Sequence, residues 1–183
     1  MGAVPIVVAS TLLYATVRYN VLKGVAWCEW PTYVANKAAA LSALLLIVLS
    51  LRRGLPSDDE ARLRRTAAWL VALHGVLSLG LLGPATYPRY FVDGKPTAAA
   101  AWSLLAGALS AVVMLRGLPA DGSGNSSTRW RRGLLAFVPG VHAALLGYES
   151  WFAPATWPGY LVPITLLAFV AGAVGLALAA RRA

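Results

Sequence analysis

The chain has 183 residues, 58% of them hydrophobic and 13% charged, with a mean hydropathy of +0.65. Soluble domains carry about a quarter charged residues, so a water-soluble globule is excluded and an integral membrane protein is expected. The net charge of +9 would point to a polyanion in a soluble protein; here the arginines stand in short clusters between apolar runs, which the positive-inside rule explains with no nucleic acid as partner.

Six apolar runs follow one another, each close to the span of a bilayer core. Backbone groups cannot stay unpaired in hydrocarbon, so each run is expected to be a helix. The first, residues 3–17 in "MGAVPIVVASTLLYATVRYN", lacks a basic leader and a good cleavage site, and reads as a spanning helix rather than a secretory signal. The second, residues 33–51, follows "GVAWCEWPTY", whose Cys28 is the chain's single cysteine. One cysteine permits neither an internal disulfide nor a CxxC pair, and Cys28 is given no role. The third run, residues 66–82, follows "LRRGLPSDDEARLRR" and holds His74. The fourth, residues 98–115, follows "GPATYPRYFVDGKPT". In the next loop, "RGLPADGSGNSSTRWRR", the GSG has no preceding strand and no full dinucleotide fingerprint, and the sequon at Asn125 would be silent in the cytoplasm. The fifth run, residues 133–148, holds His142; the sixth, residues 160–180, follows "GYESWFAPATWPGY" and ends in "ARRA". The first and fifth are short and need interfacial residues to complete a crossing.

The second and fourth loops and the tail carry eleven arginines, against five basic residues (Arg18, Lys23, Lys37, Arg89, Lys95) on the other side. That asymmetry places both termini in the cytoplasm. The expected fold is all-α: a single transmembrane domain over residues 1–183, an integral membrane six-helix bundle, multi-pass in the cell (inner or plasma) membrane and surrounded by the lipid bilayer. Two outer loops look alike. "PATYPRY" (Pro84–Tyr90) and "PATWPGY" (Pro154–Tyr160) share five of seven positions, beginning ten residues after His74 and twelve after His142. Either helices three and five are related units, as in many repeat-built membrane folds, or the match is chance in a Pro- and Ala-rich chain.

His74 and His142 are the two histidines of the chain, and each lies in a run free of other ionisable groups. His74 follows Arg65 by nine residues and His142 follows Arg132 by ten. At the helical rise both imidazoles stand roughly 14–15 Å above the cytoplasmic boundary, near mid-membrane. Two co-directional helices thus bring two imidazoles to one level, the geometry for ligating one planar metal cofactor from both faces. Three readings stay open. Haem iron with two axial imidazoles needs only what is present. Structural packing needs only hydrogen-bond partners, although polar groups at this depth are usually functional. Proton or ion handling wants nearby carboxylates, and all seven acids fall in loops or at helix ends. Zinc would want further ligands at the same level.

Small residues flank both histidines: Gly75 and Ser78 about the first; Gly140, Ala143, Ala144 and Gly147 about the second. They leave room for a macrocycle or simply let helices pack. Ser103, Gly107 and Ala111 of the fourth run read as such a packing stripe with no cofactor required. Lys37, Arg18 and Arg89 read first as side chains that snorkel to headgroups, with pairing to an anionic cofactor group as the second reading for each. Trp27, Trp30, Tyr87, Tyr90, Trp151 and Trp157 read as an interfacial belt, with a docking surface or lid as the alternative.

The stretches "YNVLKGVAWCEWPTYVANKAAALSALLL", "ALHGVLSLGLLGPATYPRYF" and "VHAALLGYESWFAPATWPGYLVPIT" resemble the ferric-reductase-like transmembrane domain family over most of the chain outside the cytoplasmic loops. The resemblance implies six helices holding b-type haem between histidines of the third and fifth. It also implies electron transfer from a reduced flavin, a soluble flavoprotein or a quinol toward an acceptor. Members include ferric reductases, superoxide-producing oxidases and the membrane subunit of a periplasmic methionine sulfoxide reductase. Many carry a second histidine thirteen or fourteen residues on; here that spacing meets Tyr87 after His74, and Ala155 or Thr156 after His142. A second haem is therefore unsupported. The flavin and nicotinamide domain of the larger members has no counterpart in this chain, so the expectation is an oxidoreductase membrane subunit. The sequence thus leads to one haem b, with His74 and His142 as metal and cofactor ligands, in a membrane electron-transfer protein. The alternative is a haem-free structural or transport protein whose histidines hydrogen-bond between helices.

Overall fold

The computed structural model describes residues 2–52, 54–117 and 126–181. Helix α1 (Ala3–Thr16) continues into a π-helical turn, Val17–Leu22. A 3-10 turn (Trp27–Glu29) and a second π-helical turn (Trp30–Val34) lead into α2 (Ala35–Ser50). Then come α3 (Ser57–Gly80), α4 (Ala98–Gly117), α5 (Ser126–Gly147) and α6 (Ile164–Ala180). Among the described residues, four stretches are long and apolar enough to cross a membrane: Ala3–Leu22, Trp27–Ser50, Ala98–Leu115 and Pro158–Ala180. That fits a membrane protein.

Several boundaries depart from the apolar runs, each for a local reason. Helix α3 begins nine residues before residue 66. Its first turn carries Asp58, Asp59 and Glu60, which suit the positive end of a helix dipole. Arg62–Asp59 (3.1 Å) and Arg64–Glu60 (2.9 Å) pair along its surface. Helix α5 likewise begins inside charged sequence, at Ser126 rather than Gly133. Helix α6 starts at Ile164 rather than 160, because Pro158 and Pro163 hold the entering chain in turns and extended backbone. The all-α expectation also misses a two-residue hairpin, β1 (Phe91–Val92) against β2 (Lys95–Pro96). Its turn residues, Asp93 and Gly94, both have positive φ, the Asp-Gly signature of a tight hairpin. The GSG and Asn125 sequon, along with Arg53 and Arg182 of the basic clusters, lie outside the described residues.

Helix α2 is the centre of the bundle, packing against α1, α3, α5 and α6. Its Leu44, Leu46 and Ile47 join Leu63, Ala67 and Val71 of α3, Met114 of α4, Leu135 and Ala136 of α5, and Ala171 of α6 in one buried core. Thr11 of α1 shares a buried hydrogen bond with Ser42 of α2. The Arg18 guanidinium and the Tyr14 hydroxyl donate to the carbonyls of Leu161 and Val162. Those carbonyls precede Pro163 in non-helical chain and need outside donors. Arg18 is 7% exposed, so it clamps α1 to the entry of α6 instead of snorkelling.

The closest helix pair is α5–α6. Gly133, Gly140 and Gly147 recur at sevenfold spacing on α5 and meet Ala179, Gly172 and Thr165 of α6. A Cβ on Gly147 would stand 2.1 Å from Thr165 Oγ1, and one on Gly172 would stand 2.8 Å from the Ala136 carbonyl oxygen. This is small-residue packing of the kind helices use in lipid. Of the two readings open for Gly140 and Gly147, helix packing is the one the structure bears out.

Candidate functional site

A cavity of about 330 Å³ lies among α2, α3, α4, α5 and α6, lined by both His74 and His142. Its walls are mainly apolar, with Leu44, Val71, Met114 and Ala168 among them; Lys37, Ser78 and Ser103 add polar groups. Leu79 and Leu104 line it too, and they are 68% and 40% exposed. The cavity therefore opens sideways between α3 and α4. Ser103, Gly107 and Ala111 all face it, so the stripe read as helix packing is a cavity wall.

The two histidines have different surroundings. His74 Nδ1 stands 2.6 Å from Oδ1 of Asn36, which is 1% exposed on α2. The Asn36 amide nitrogen donates to Ser78 Oγ at 3.0 Å, and Ser78 Oγ lies 3.4 Å from both Asn36 Oδ1 and His74 Nδ1. An amide oxygen only accepts, so Nδ1 of His74 donates and its Nε2 keeps the lone pair. His142 Nδ1 is buried and, among the described residues, has no hydrogen-bond partner. Its ring lies against Gly107, where a Cβ would come within 3.0 Å of Cε1. Pro139, one turn before His142, also lines the cavity. Among the described residues no three of His, Cys, Asp or Glu gather as a metal cluster. The donor set is two imidazoles.

Lys37 lines the same cavity. Its ammonium sits 5.1 Å from the Tyr33 ring centre and 5.4 Å from that of Tyr87, with the Tyr87 hydroxyl at 3.4 Å. It is held over two phenol rings at the cavity rim. The Arg89 side chain lies outside the described residues. Three other outer aromatics are tied to nearby elements: Trp30 donates to Thr16 Oγ1 (2.8 Å), Trp151 to Thr165 Oγ1 (3.0 Å) and Trp157 to the Ser150 carbonyl (2.7 Å). Trp27 stays 64% exposed, and Cys28 is exposed with a free thiol.

The two similar loops also fold alike. Thr86 N–H bonds the Gly83 carbonyl and Thr156 N–H the Ala153 carbonyl, at 3.2 and 2.9 Å. Tyr90 N–H bonds Tyr87 and Tyr160 N–H bonds Trp157, both at 3.0 Å, each closing a 3-10 turn that begins at a proline. They part where Arg89 in one loop matches Gly159 in the other. Gly159 has φ +56° and would place a Cβ 2.6 Å from Leu22.

Asn36 is the residue that sequence reading missed. It adjoins Lys37 in "ANKAAAL", and a neutral amide facing into a helix bundle was the available signal. The sequence matches no protein-family model and no curated protein.

Proposed function

We propose that this protein is a membrane electron carrier, ferric-reductase-like, that holds one b-type haem between His74 and His142. The carrying observation is that both histidines of the chain line one cavity. The donor set fits haem, which takes two axial imidazoles and no carboxylate or thiolate. The cavity volume is at the lower end of ligand pockets, about 300–1,000 Å³, and the lateral opening adds width for a flat group. Lys37 stands where an acidic edge group of such a cofactor would find a cation.

When bound, haem supplies one-electron chemistry. The protein's own part is to ligate through His74 and His142, to exclude water with the Leu44, Val71 and Met114 walls, and to keep Lys37 at the rim. In this reading all six helices cross the inner or plasma membrane, with both termini cytoplasmic. Apolar exposure supports this for α3, whose Trp69, Val76 and Leu79 are 73%, 70% and 68% exposed. Such a face suits lipid and not water. A soluble flavoprotein or a quinol would donate the electron.

The haem-free alternative has one observation in its favour: His74 does hydrogen-bond between helices, to Asn36. A reduced-minus-oxidised spectrum of detergent-purified protein separates the two readings. We expect b-type bands in the wild type and at least a several-fold loss of bound haem in both His74→Ala and His142→Ala. Full haem content in either variant removes the ligand pair, and no bands after haem supplementation favour the haem-free protein.

A further inference from the structure

Helix α2 supplies the largest share of the buried core, yet near its outer end it buries a primary amide. Nothing in the packing requires an amide at residue 36; the neighbouring buried positions are Val34, Ala38 and Ala39. Burying an amide among apolar side chains is unfavourable unless its hydrogen bonds are made. Both ends of Asn36 are used, and both go to one face of α3. Oδ1 takes the proton of His74 Nδ1, and Nδ2 donates to Ser78, one helical turn beyond His74. The pair His74 and Ser78 is spaced i, i+4, so both side chains meet the same point on α2.

We propose that Asn36, braced by Ser78, is a positioning residue for the site: it keeps the His74 hydrogen on Nδ1, turns Nε2 toward ligation, and makes His74 a stronger donor than His142. The donor-strength half rests on the haem reading above; the tautomer half does not. An acceptor on the far nitrogen of a ligating imidazole fixes its tautomer and raises its basicity. A more basic axial ligand favours the oxidised metal, and second-shell hydrogen bonds are a recognised lever on haem potential. Among the described residues, Nδ1 of His142 makes no hydrogen bond comparable to that from His74 to Asn36.

Two readouts test this on the full-length protein in detergent. The first needs no haem. Nitrogen NMR of histidine-labelled protein, assigned with His142→Gln, should find the His74 proton on Nδ1 in the wild type and in Asn36→Asp, which keeps an acceptor. Asn36→Leu should lose that signature, and Ser78→Ala should weaken it. The second is the haem midpoint potential, which should fall in Asn36→Asp and rise in Asn36→Leu relative to wild type. A His74 proton on Nε2 in the wild type overturns the proposal, as do equal midpoints in the Asp, Asn and Leu forms. Should Asn36→Leu fail to fold, the wild-type to Asn36→Asp shift and the Ser78→Ala spectrum still decide it. A wild type that binds no haem overturns the haem reading and the donor-strength half with it, an outcome plainly different from three equal midpoints.

Discussion

Gly107 lies against the His142 ring so closely that even a methyl group would meet Cε1 at 3.0 Å. Gly107→Ala asks that ring to move by a few tenths of an ångström, and Gly107→Leu evicts it from its place. If the protein holds haem as proposed, its retention should fall modestly in the first and several-fold in the second, while circular dichroism and gel filtration stay those of the wild type. A Gly107→Leu protein with full haem content would mean that the position of this ring does not matter to binding. Small residues were visible in the sequence, but the two uses left open for them could not be told apart there: Gly107, read as packing, lines the cavity, and Gly140 and Gly147 hold helices together. Spacing alone cannot say which face of a helix meets a neighbour and which meets a void. Asn36 was hidden for a related reason. Its charged neighbour Lys37 drew attention, and burial to 1% exposure is a tertiary fact.

Among the helices, α5 and α6 meet almost backbone to backbone. Gly172→Ala puts a methyl 2.8 Å from the Ala136 carbonyl oxygen, and overpacking of this kind typically destabilises by about 1–3 kcal/mol. Gly80→Ala, with no atom within 4 Å of its Cβ, should be neutral. Thermal unfolding in detergent compares the two; equal melting points would mean that the pair can spread at no cost. Helix identity was legible because hydropathy marks buried or lipid-facing segments. Helix ends were not, since α3 and α5 begin well inside charged sequence; in α3 side-chain pairs and the helix dipole, rather than hydrophobicity, sustain the first turns. The Asp93-Gly94 hairpin carried a clear turn signature within a loop read only for its aromatics and prolines.

For the molecule as a whole, the orientation inferred from the arginines can be checked with the protein's own thiol. Cys28 is exposed and belongs to the side assigned to the exterior. A membrane-impermeant maleimide should label it in intact cells. Ser57→Cys in a Cys28→Ser background should react only after lysis. The reverse pattern would invert the topology and place the Lys37 rim on the cytoplasmic side. The six-run plan, the basic asymmetry and the paired loops could all be read from the chain, because each is a matter of composition or local repetition. Depth arithmetic put His74 and His142 at one level; that both line the same cavity is a tertiary fact. Their unequal partners could not be read from the chain either, because Asn36 reaches His74 from a different helix.

The glycine contact of α5 with α6 has a mechanical corollary. Helix α5 carries one imidazole and is locked to α6 at van der Waals closeness from Gly133 to Gly147. The other imidazole rides on α3, whose most extensive partner is α2. The cavity is thus a joint between two stiff pairs, and its width is set by how α2–α3 sits on α5–α6. A substitution far from either imidazole that tilts one pair against the other would detune the centre without touching it.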